Sequence, residues 1–319
     1  MDRLAQVCGE RIAQIADSQP GIWVLDADLA DSDGAEVFGR RHHERFLNVG
    51  IAEQAMVSVA AGLAACGCRP WVFSFAAFLC CRAYDQIRAC ISQTRLPVVL
   101  IGSHSGGLSS KNGKSHTVLN DIALMATLPH VEVWAPADRT DAVFCIDQIY
   151  AAQRAAYIRL PRDPVPPLGG IVSPTRWLGR PSPTALISHG LSSHWAVAAA
   201  TLLQQRGFPI SVVHFCRLWP LQSDLIRELL SGVELAFVLE DHYGLGGLAS
   251  LLQSLDLPLR ITSLAWPADW SGQSGKPSEV LKRFQLDPTA IADRISAAIP
   301  PVRVSAPPEL SSVSTAGFG

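Results

Sequence analysis

Short apolar runs that do not alternate with polar residues set the terms for this chain. Trp23-Val24-Leu25, Pro70-Trp71-Val72-Phe73, Pro97-Val98-Val99-Leu100-Ile101, Val131-Glu132-Val133-Trp134 and Ala156-Tyr157-Ile158 each read as a strand buried on both faces. Helical spacing is expected between them, at about 3–17, 53–66, 77–92, 119–127 and 138–153. A strand without a polar face needs cover on both sides, and intervening helices supply it. The sequence therefore predicts an α/β fold with a mostly parallel sheet between helical layers.

The pattern breaks from Pro161 to Pro183, where seven prolines and Gly169-Gly170 leave no period of either kind. Proline fixes φ and removes an amide donor, so an extended linker is expected over 163–183. Apolar runs then resume at Thr184-Ala185-Leu186-Ile187, Ile210-Ser211-Val212-Val213, Leu235-Ala236-Phe237-Val238-Leu239 and Leu259-Arg260-Ile261-Thr262, with helices expected from about 192, from about 222 and near 247–255. Two α/β domains follow, at 1–162 and 184–304, with a flexible tail at 305–319. No internal repeat is visible.

Hydrophobic residues at 48% against 17% charged ones exclude a disordered chain. Twenty-six basic residues against 28 acidic ones argue against a nucleic-acid partner. The start, Met1-Asp2-Arg3-Leu4, has no apolar signal core, and the uncharged stretch Ala55–Cys68 falls short of the ~18–20 residues that cross a bilayer. Eight cysteines occur without a CxxC pair. Cys66-Gly67-Cys68 and Cys80-Cys81 lie in apolar segments and are expected to be buried reduced thiols in a cytoplasmic protein with no metal of its own.

Open parallel sheets bind ligands outside the carboxyl ends of their strands. Attention falls on Asp26-Ala27-Asp28, on Asn48-Val49-Gly50-Ile51-Ala52-Glu53, on Ser74-Phe75 and on Gly102-Ser103-His104. A polar, glycine-rich loop follows from Ser103 to His116, without GxxxxGK[ST] or GxGxxG. Glu53 opens an otherwise apolar helix. It is either a first-turn carboxylate favoured by the helix dipole or a desolvated acid able to share a proton with a ligand.

Phe46-Leu47-Asn48-Val49-Gly50-Ile51-Ala52-Glu53-Gln54-Ala55-Met56, followed by Ala60-Ala61-Gly62-Leu63-Ala64, resembles the pyrimidine-binding domain of transketolases. The likeness continues through Phe75-Ala76-Ala77-Phe78, Arg82-Ala83-Tyr84-Asp85-Gln86-Ile87-Arg88, Asp121-Ile122-Ala123-Leu124-Met125 and Pro136-Ala137-Asp138. It reaches the second half at Leu239-Glu240-Asp241-His242 and Gly246-Gly247-Leu248. The family binds thiamine diphosphate, whose diphosphate and metal are held by a separate domain with a GDG motif followed by Asn. No Gly-Asp-Gly occurs here. The chain thus looks like the carboxy-terminal small subunit of a split transketolase, and Val24-Leu25-Asp26-Ala27-Asp28-Leu29 resembles the opening of such subunits. The resemblance implies an α2β2 heterotetramer with a GDG…N partner that holds Mg2+ or Ca2+.

It also implies roles. Glu53 matches the glutamate that hydrogen-bonds N1′ of the aminopyrimidine, and Phe75 and Phe78 match aromatics around that ring. Cys81 stands where many transketolases carry another aromatic. His104 and His116 match loop histidines on substrate oxygens, and Arg162 matches an arginine on the sugar phosphate. Arg3 and Arg159 are further arginine candidates, and Asp26 joins the substrate set at its strand exit. The implied reaction passes a two-carbon ketol unit from a ketose or its phosphate to an aldose. The loop departs from the family's G-E-D-G-P-T-H, reading Ser110-Lys111-Asn112-Gly113-Lys114-Ser115-His116. Asn112 replaces an aspartate, while Lys111 and Lys114 imply either a more anionic substrate or cations facing solvent or the partner. Glu240 to Gly247 could cradle an anion at a helix start, although the family uses this domain mainly for dimerisation.

Two rivals share these features. A beta subunit of a 2-oxo acid dehydrogenase, or an enzyme like deoxyxylulose-phosphate synthase, has the same domain order and glutamate; Arg82…Gln86-Ile87-Arg88 and the two loop histidines lean toward transketolase. A non-catalytic regulatory paralogue would not need Glu53 and Phe78.

Overall fold

The computed structural model describes residues 1–299, without the side chains of Ser110 and Lys111. The expected tail at 305–319 and the end of the second domain at 300–304 lie outside the described residues.

Strands β1 (Ile22–Asp26), β2 (Phe46–Asn48), β3 (Arg69–Phe75), β4 (Val99–Ser103), β5 (Val131–Trp134) and β6 (Ala155–Arg159) build one sheet, all parallel to one another. Each strand feeds two cores by its period of two. Trp71, Phe73, Val99, Ile101, Ala156 and Ile158 point into one core, beside residues of the helices Leu4–Ala16 and Arg139–Ala152. Val72, Leu100 and Tyr157 point the other way, onto the helix Glu53–Ala65 and the wide π-helical turns Phe78–Arg82 and Ile87–Ser92. Apolar residues at every position are thus a requirement of double-sided cover.

The second sheet contains β7 (Thr175–Leu178), β8 (Thr184–His189), β9 (Ser211–Phe215), β11 (Leu235–Tyr243) and β12 (Arg260–Trp266), in the order β12-β11-β8-β9-β7. β7 falls inside the proline-rich stretch expected to be a linker. It forms because its four residues are free of proline, and it sits at an edge, antiparallel to β9. Between β9 and β11 lies β10 (Arg217–Trp219), which leaves its own sheet and pairs antiparallel with β5. The first sheet therefore reads β10-β5-β6-β4-β3-β1-β2, with its outer strand lent by the second unit. Three residues ending in Trp219-Pro220 carry too little period to announce a strand.

The expectation of uniformly buried thiols is corrected. Cys8, Cys80, Cys145 and Cys216 are buried, but Cys66 and Cys81 are exposed. Cys66 caps the end of the helix Glu53–Ala65, where the left-handed Gly67 turns the chain outward.

Candidate active site

The carboxyl edge of the first sheet gathers the site. Asn48 ends β2, and its Oδ1 accepts the Gly50 amide at 2.9 Å, forming a tight turn with Gly50 at φ +73°. Glu53 then opens its helix, whose Met56, Val57, Ala60 and Ala64 bury one face and draw Glu53 down to 1% exposure. Arg82 Nη1 donates to both carboxylate oxygens at 2.7 Å. The Arg82 side chain is 45% exposed, and its guanidinium lies 4.4 Å over the Phe78 ring. A buried acid thus has a counter-ion that reaches solvent.

Phe75, the last residue of β3, stacks on Phe78 with centroids 5.8 Å apart. His104 follows β4 with φ +56°, an uncommon conformation for a residue with a side chain. That twist lays its ring 4.0 Å from Phe75, with Nδ1 3.2 Å from Ser103 Oγ. Burial, then the charges of Arg162 and Arg3, push the His104 pKa down to about 4. Its imidazole is neutral at physiological pH. His116 meets Phe78 edge-on at 5.1 Å and Phe75 at 6.0 Å, with Nδ1 2.9 Å from Ser115 Oγ. Glu53, Phe75, Phe78, His104 and His116 therefore form one continuous surface with Arg82. Arg162 stands close enough for its charge to act on His104, and its buried Nη1 has no hydrogen-bond partner among the described residues.

The other sequence candidates serve the scaffold or take no part in these contacts. Asp26 is fully buried: Oδ1 accepts the Leu29 amide at 2.8 Å, and its carboxyl faces that of Asp33. Burial raises both acids, and Asp33 rises well above the usual carboxylate range, so the pair retains a proton and braces the turn after β1. Cys81 is an exposed thiol beside Arg82. Asn112 is half-buried and Lys114 exposed, while the side chain of Lys111 is outside the described set. Arg159 is a buried strut: it pairs with Asp121 at 2.9 Å, beside the Tyr157 hydroxyl on the same carboxylate at 2.8 Å, and donates to the Asp241 carbonyl at 2.9 Å. The helix start at Glu240–Gly247, read from sequence either as an anion cradle or as part of a dimerisation domain, is filled from within. The Glu240 carboxylate accepts the amides of Leu248 and Ala249, and a Cβ on Gly247 would collide with it.

Sequence reasoning missed Arg82 as the partner of Glu53. The available signal was an arginine directly after the apolar Phe78-Leu79-Cys80-Cys81. Among the described residues one buried group has metal-like composition, Asp141, His214 and Cys216. Arg176 already holds that carboxylate through Nη1 at 2.8 Å and Nη2 at 3.2 Å, placing a cation there from the protein itself. A cavity of about 350 Å³ lined by Arg95, His130, Glu132, Arg154 and Trp219 opens at the amino-terminal ends of β5 and β6, the opposite edge from the aromatic surface.

Two linked α/β units, with a buried glutamate and paired rings at strand exits, define a fold and site class that comparison with known proteins makes specific. Residues 3–167 match the family description "Transketolase, pyrimidine binding domain", and residues 181–291 match "Transketolase, C-terminal domain". The chain belongs to the transketolase family. It is 30% identical over 298 residues to a protein of Methanocaldococcus jannaschii described as a transketolase C-terminal section, covering 90% of this chain and 93% of that one. It is 31% identical over 301 residues to the 1-deoxy-D-xylulose-5-phosphate synthase of Magnetococcus marinus, of which it spans 48%. A solved structure titled split gene transketolase, inactive beta4 tetramer, superposes with a TM-score of 0.83 at 28% identity, over 92% of this chain and 97% of that one. Among the described residues no helix is long and apolar enough to cross a membrane.

Proposed function

We propose that the chain is the catalytic small subunit of a split transketolase, moving a two-carbon ketol unit from a ketose, free or phosphorylated, to an aldose. The observation that carries this reading is Glu53, buried at a strand exit with an ion pair that opens to solvent, beside the stacked Phe75 and Phe78. Those residues fit an aminopyrimidine: a flat ring finds aromatic faces, and a ring nitrogen finds a desolvated carboxyl group. Thiamine diphosphate, when bound, supplies the electron sink for breaking and making the carbon–carbon bond. Glu53 holds a proton at the pyrimidine edge once Arg82 swings outward, and Phe75 and Phe78 fix the plane of the ring. His104, neutral and ring-stacked, donates from one nitrogen and accepts at the other, which suits sugar hydroxyls. His116 does the same from the far end of the loop. The unpartnered Nη1 of Arg162 suits an anionic sugar end.

Residues 1–162 would form the pyrimidine domain and 184–304 the C-terminal domain, in a reducing cytoplasm. The diphosphate and its Mg2+ would be held by a GDG…N partner chain in an α2β2 assembly. Asn112 and the lysines Lys111 and Lys114 would tune donor choice, with Cys81 giving a looser wall than an aromatic.

The test is reconstitution. The chain is mixed with the product of a neighbouring gene carrying GDG…N, thiamine diphosphate and Mg2+, and assayed with a ketose donor and an aldose acceptor. Turnover in the mixture, absent from either chain alone, is the expected result. Decarboxylation of pyruvate without ketol transfer would move the chain to the synthase or 2-oxo acid dehydrogenase reading. Failure of the mixture to bind the cofactor would support a regulatory role.

A further inference from the structure

The loop that carries His104 and His116 packs against the second unit of the chain, where Leu108 joins the Trp266 cluster, and its polar anchor there is Asp241. Asp241, near the carboxyl end of β11, is 2% exposed and directs Oδ1 at the loop, accepting the Gly107 amide at 2.8 Å. The Trp266 indole donates to the same oxygen at 2.7 Å from the end of β12. Both contacts need bare backbone. A Cβ on Gly106 would lie 1.9 Å from Asp241 Oδ2, and one on Gly107 would lie 2.6 Å from the Trp266 ring. Gly106 also sits at φ +79°, and its amide bonds the Val118 carbonyl at 3.2 Å, closing the base of the loop. Behind this contact Trp266 packs on Trp270 at 4.5 Å and on Phe284, while Arg159 grips the Asp241 carbonyl. The anchor is therefore a desolvated carboxylate on an aromatic base, holding the chain three residues after His104.

We propose that Asp241 is a positioning residue of the site: the second sheet sets the catalytic loop by gripping Gly107, and so holds His104 in its twisted, Phe75-stacked pose. This rests on the transketolase reading only for what the loop does; the anchoring stands on this chain alone. A merely structural carboxylate would affect stability throughout the chain. A positioning carboxylate affects one histidine.

The test follows His104 by NMR titration in the isolated full-length chain, where its assignment comes from a His104→Gln spectrum. The groups acting on that ring are Arg162, Arg3, Asp163 and His116, none of which the variants touch. In the wild type the ring is expected to titrate well below the ordinary imidazole value, near pH 4. Asp241→Ala is expected to release the loop and lift the midpoint by about 2 units toward the ordinary imidazole value. Asp241→Asn keeps an Oδ1 acceptor and is expected to rescue the low midpoint. Gly106→Ala pushes the carboxylate away from the loop's side and is expected to reproduce Asp241→Ala without altering Asp241. In the reconstituted complex, Asp241→Ala should raise KM for the sugar at least 10-fold with a smaller loss in kcat. A folded Asp241→Ala or Gly106→Ala chain in which His104 still titrates near pH 4 overturns the proposal. Because that readout needs no turnover, it is independent of whether ketol transfer itself is found.

Discussion

Three arginine–carboxylate pairs use the same chemistry in two different regions, and the contrast separates function from scaffold. Arg159–Asp121 and Arg176–Asp141 bury both partners, with side chains at 4% and 0% and at 6% and 0% exposure. Arg82–Glu53 buries only the acid: 1% against 45%. Taking both charges out of water costs several kcal/mol per ion, offset only when every lone pair finds a donor. Asp121 meets that demand with Arg159 and Tyr157, and Asp141 with Arg176, His214 and the Ala137 amide. Neither buried arginine reaches solvent, and Arg159 also ties the second unit through the Asp241 carbonyl. The edge pair differs because Arg82 is half exposed. A releasable counter-ion on a desolvated acid is what a ligand-binding carboxylate needs.

The comparison breaks most visibly if a buried pair is dispensable. Arg159→Met leaves the Asp121 charge enclosed and should cost about 3–5 kcal/mol in chemical denaturation. A loss under about 1 kcal/mol would show that water already reaches Asp121.

Acid should act on the scaffold in two stages. His104 and His242 are pushed by burial to about 4, below the ordinary 6.5. Each binds its proton more readily when unfolded, so stability falls as pH drops from about 6.5 to 4. Asp141 resists the upward push of its own burial; His214 and Arg176 hold it at about 2. Its contribution is complete above its unfolded value near 4 and is lost as pH falls toward 2, a second stage of roughly 2 kcal/mol. In thermal melts across this range the two histidines together contribute the steeper loss above pH 4, and Asp141 the shallower one below it. Glu240, held at about 8 by burial, gains stability over the same fall in pH, so the histidine effect is read as the difference between wild type and His242→Gln; identical pH profiles for the two would contradict a buried neutral His242.

Arg82→Gln sharpens the contrast from the other side. Glu53 is left buried without its partner, but the opening occupied by Arg82 admits solvent, so the unliganded chain should lose about 1–3 kcal/mol, less than Arg159→Met. Equilibrium dialysis of the reconstituted complex should meanwhile show altered cofactor affinity. A loss equal to that of Arg159→Met would place the edge pair among the struts. Lys114→Ala, at an exposed position, should leave stability within about 0.5 kcal/mol and change only the preference among anionic donors.

Much of this was legible in the sequence because double-sided burial writes itself as unbroken apolar runs, as in β4 and β6. His104 and Glu53 stand out at strand exits, but position alone leaves Glu53 open, and the roles given to it and to both histidines come from the family resemblance. What escaped were features made by tertiary contact. β10 is three residues lent to another sheet, and β7 is an edge strand among prolines; neither has a period to read. Arg159 and Arg162 differ by three positions, yet only the structure separates a buried strut from an arginine with an unpartnered nitrogen. Arg82 finds Glu53 across 29 residues through a π-helical turn. Asp241 finds Gly107 across 134, a pairing with no local trace.

The central claim is that Glu53 is the working acid of half an active site. Its most direct test is ketol transfer by the reconstituted two-chain complex with Glu53→Gln in place of the wild-type chain. Gln keeps the size and removes the ionisable proton, so turnover should fall by about 100-fold or more while partner binding and melting hold steady. Glu53→Gln turnover within a few-fold of wild type would contradict the account.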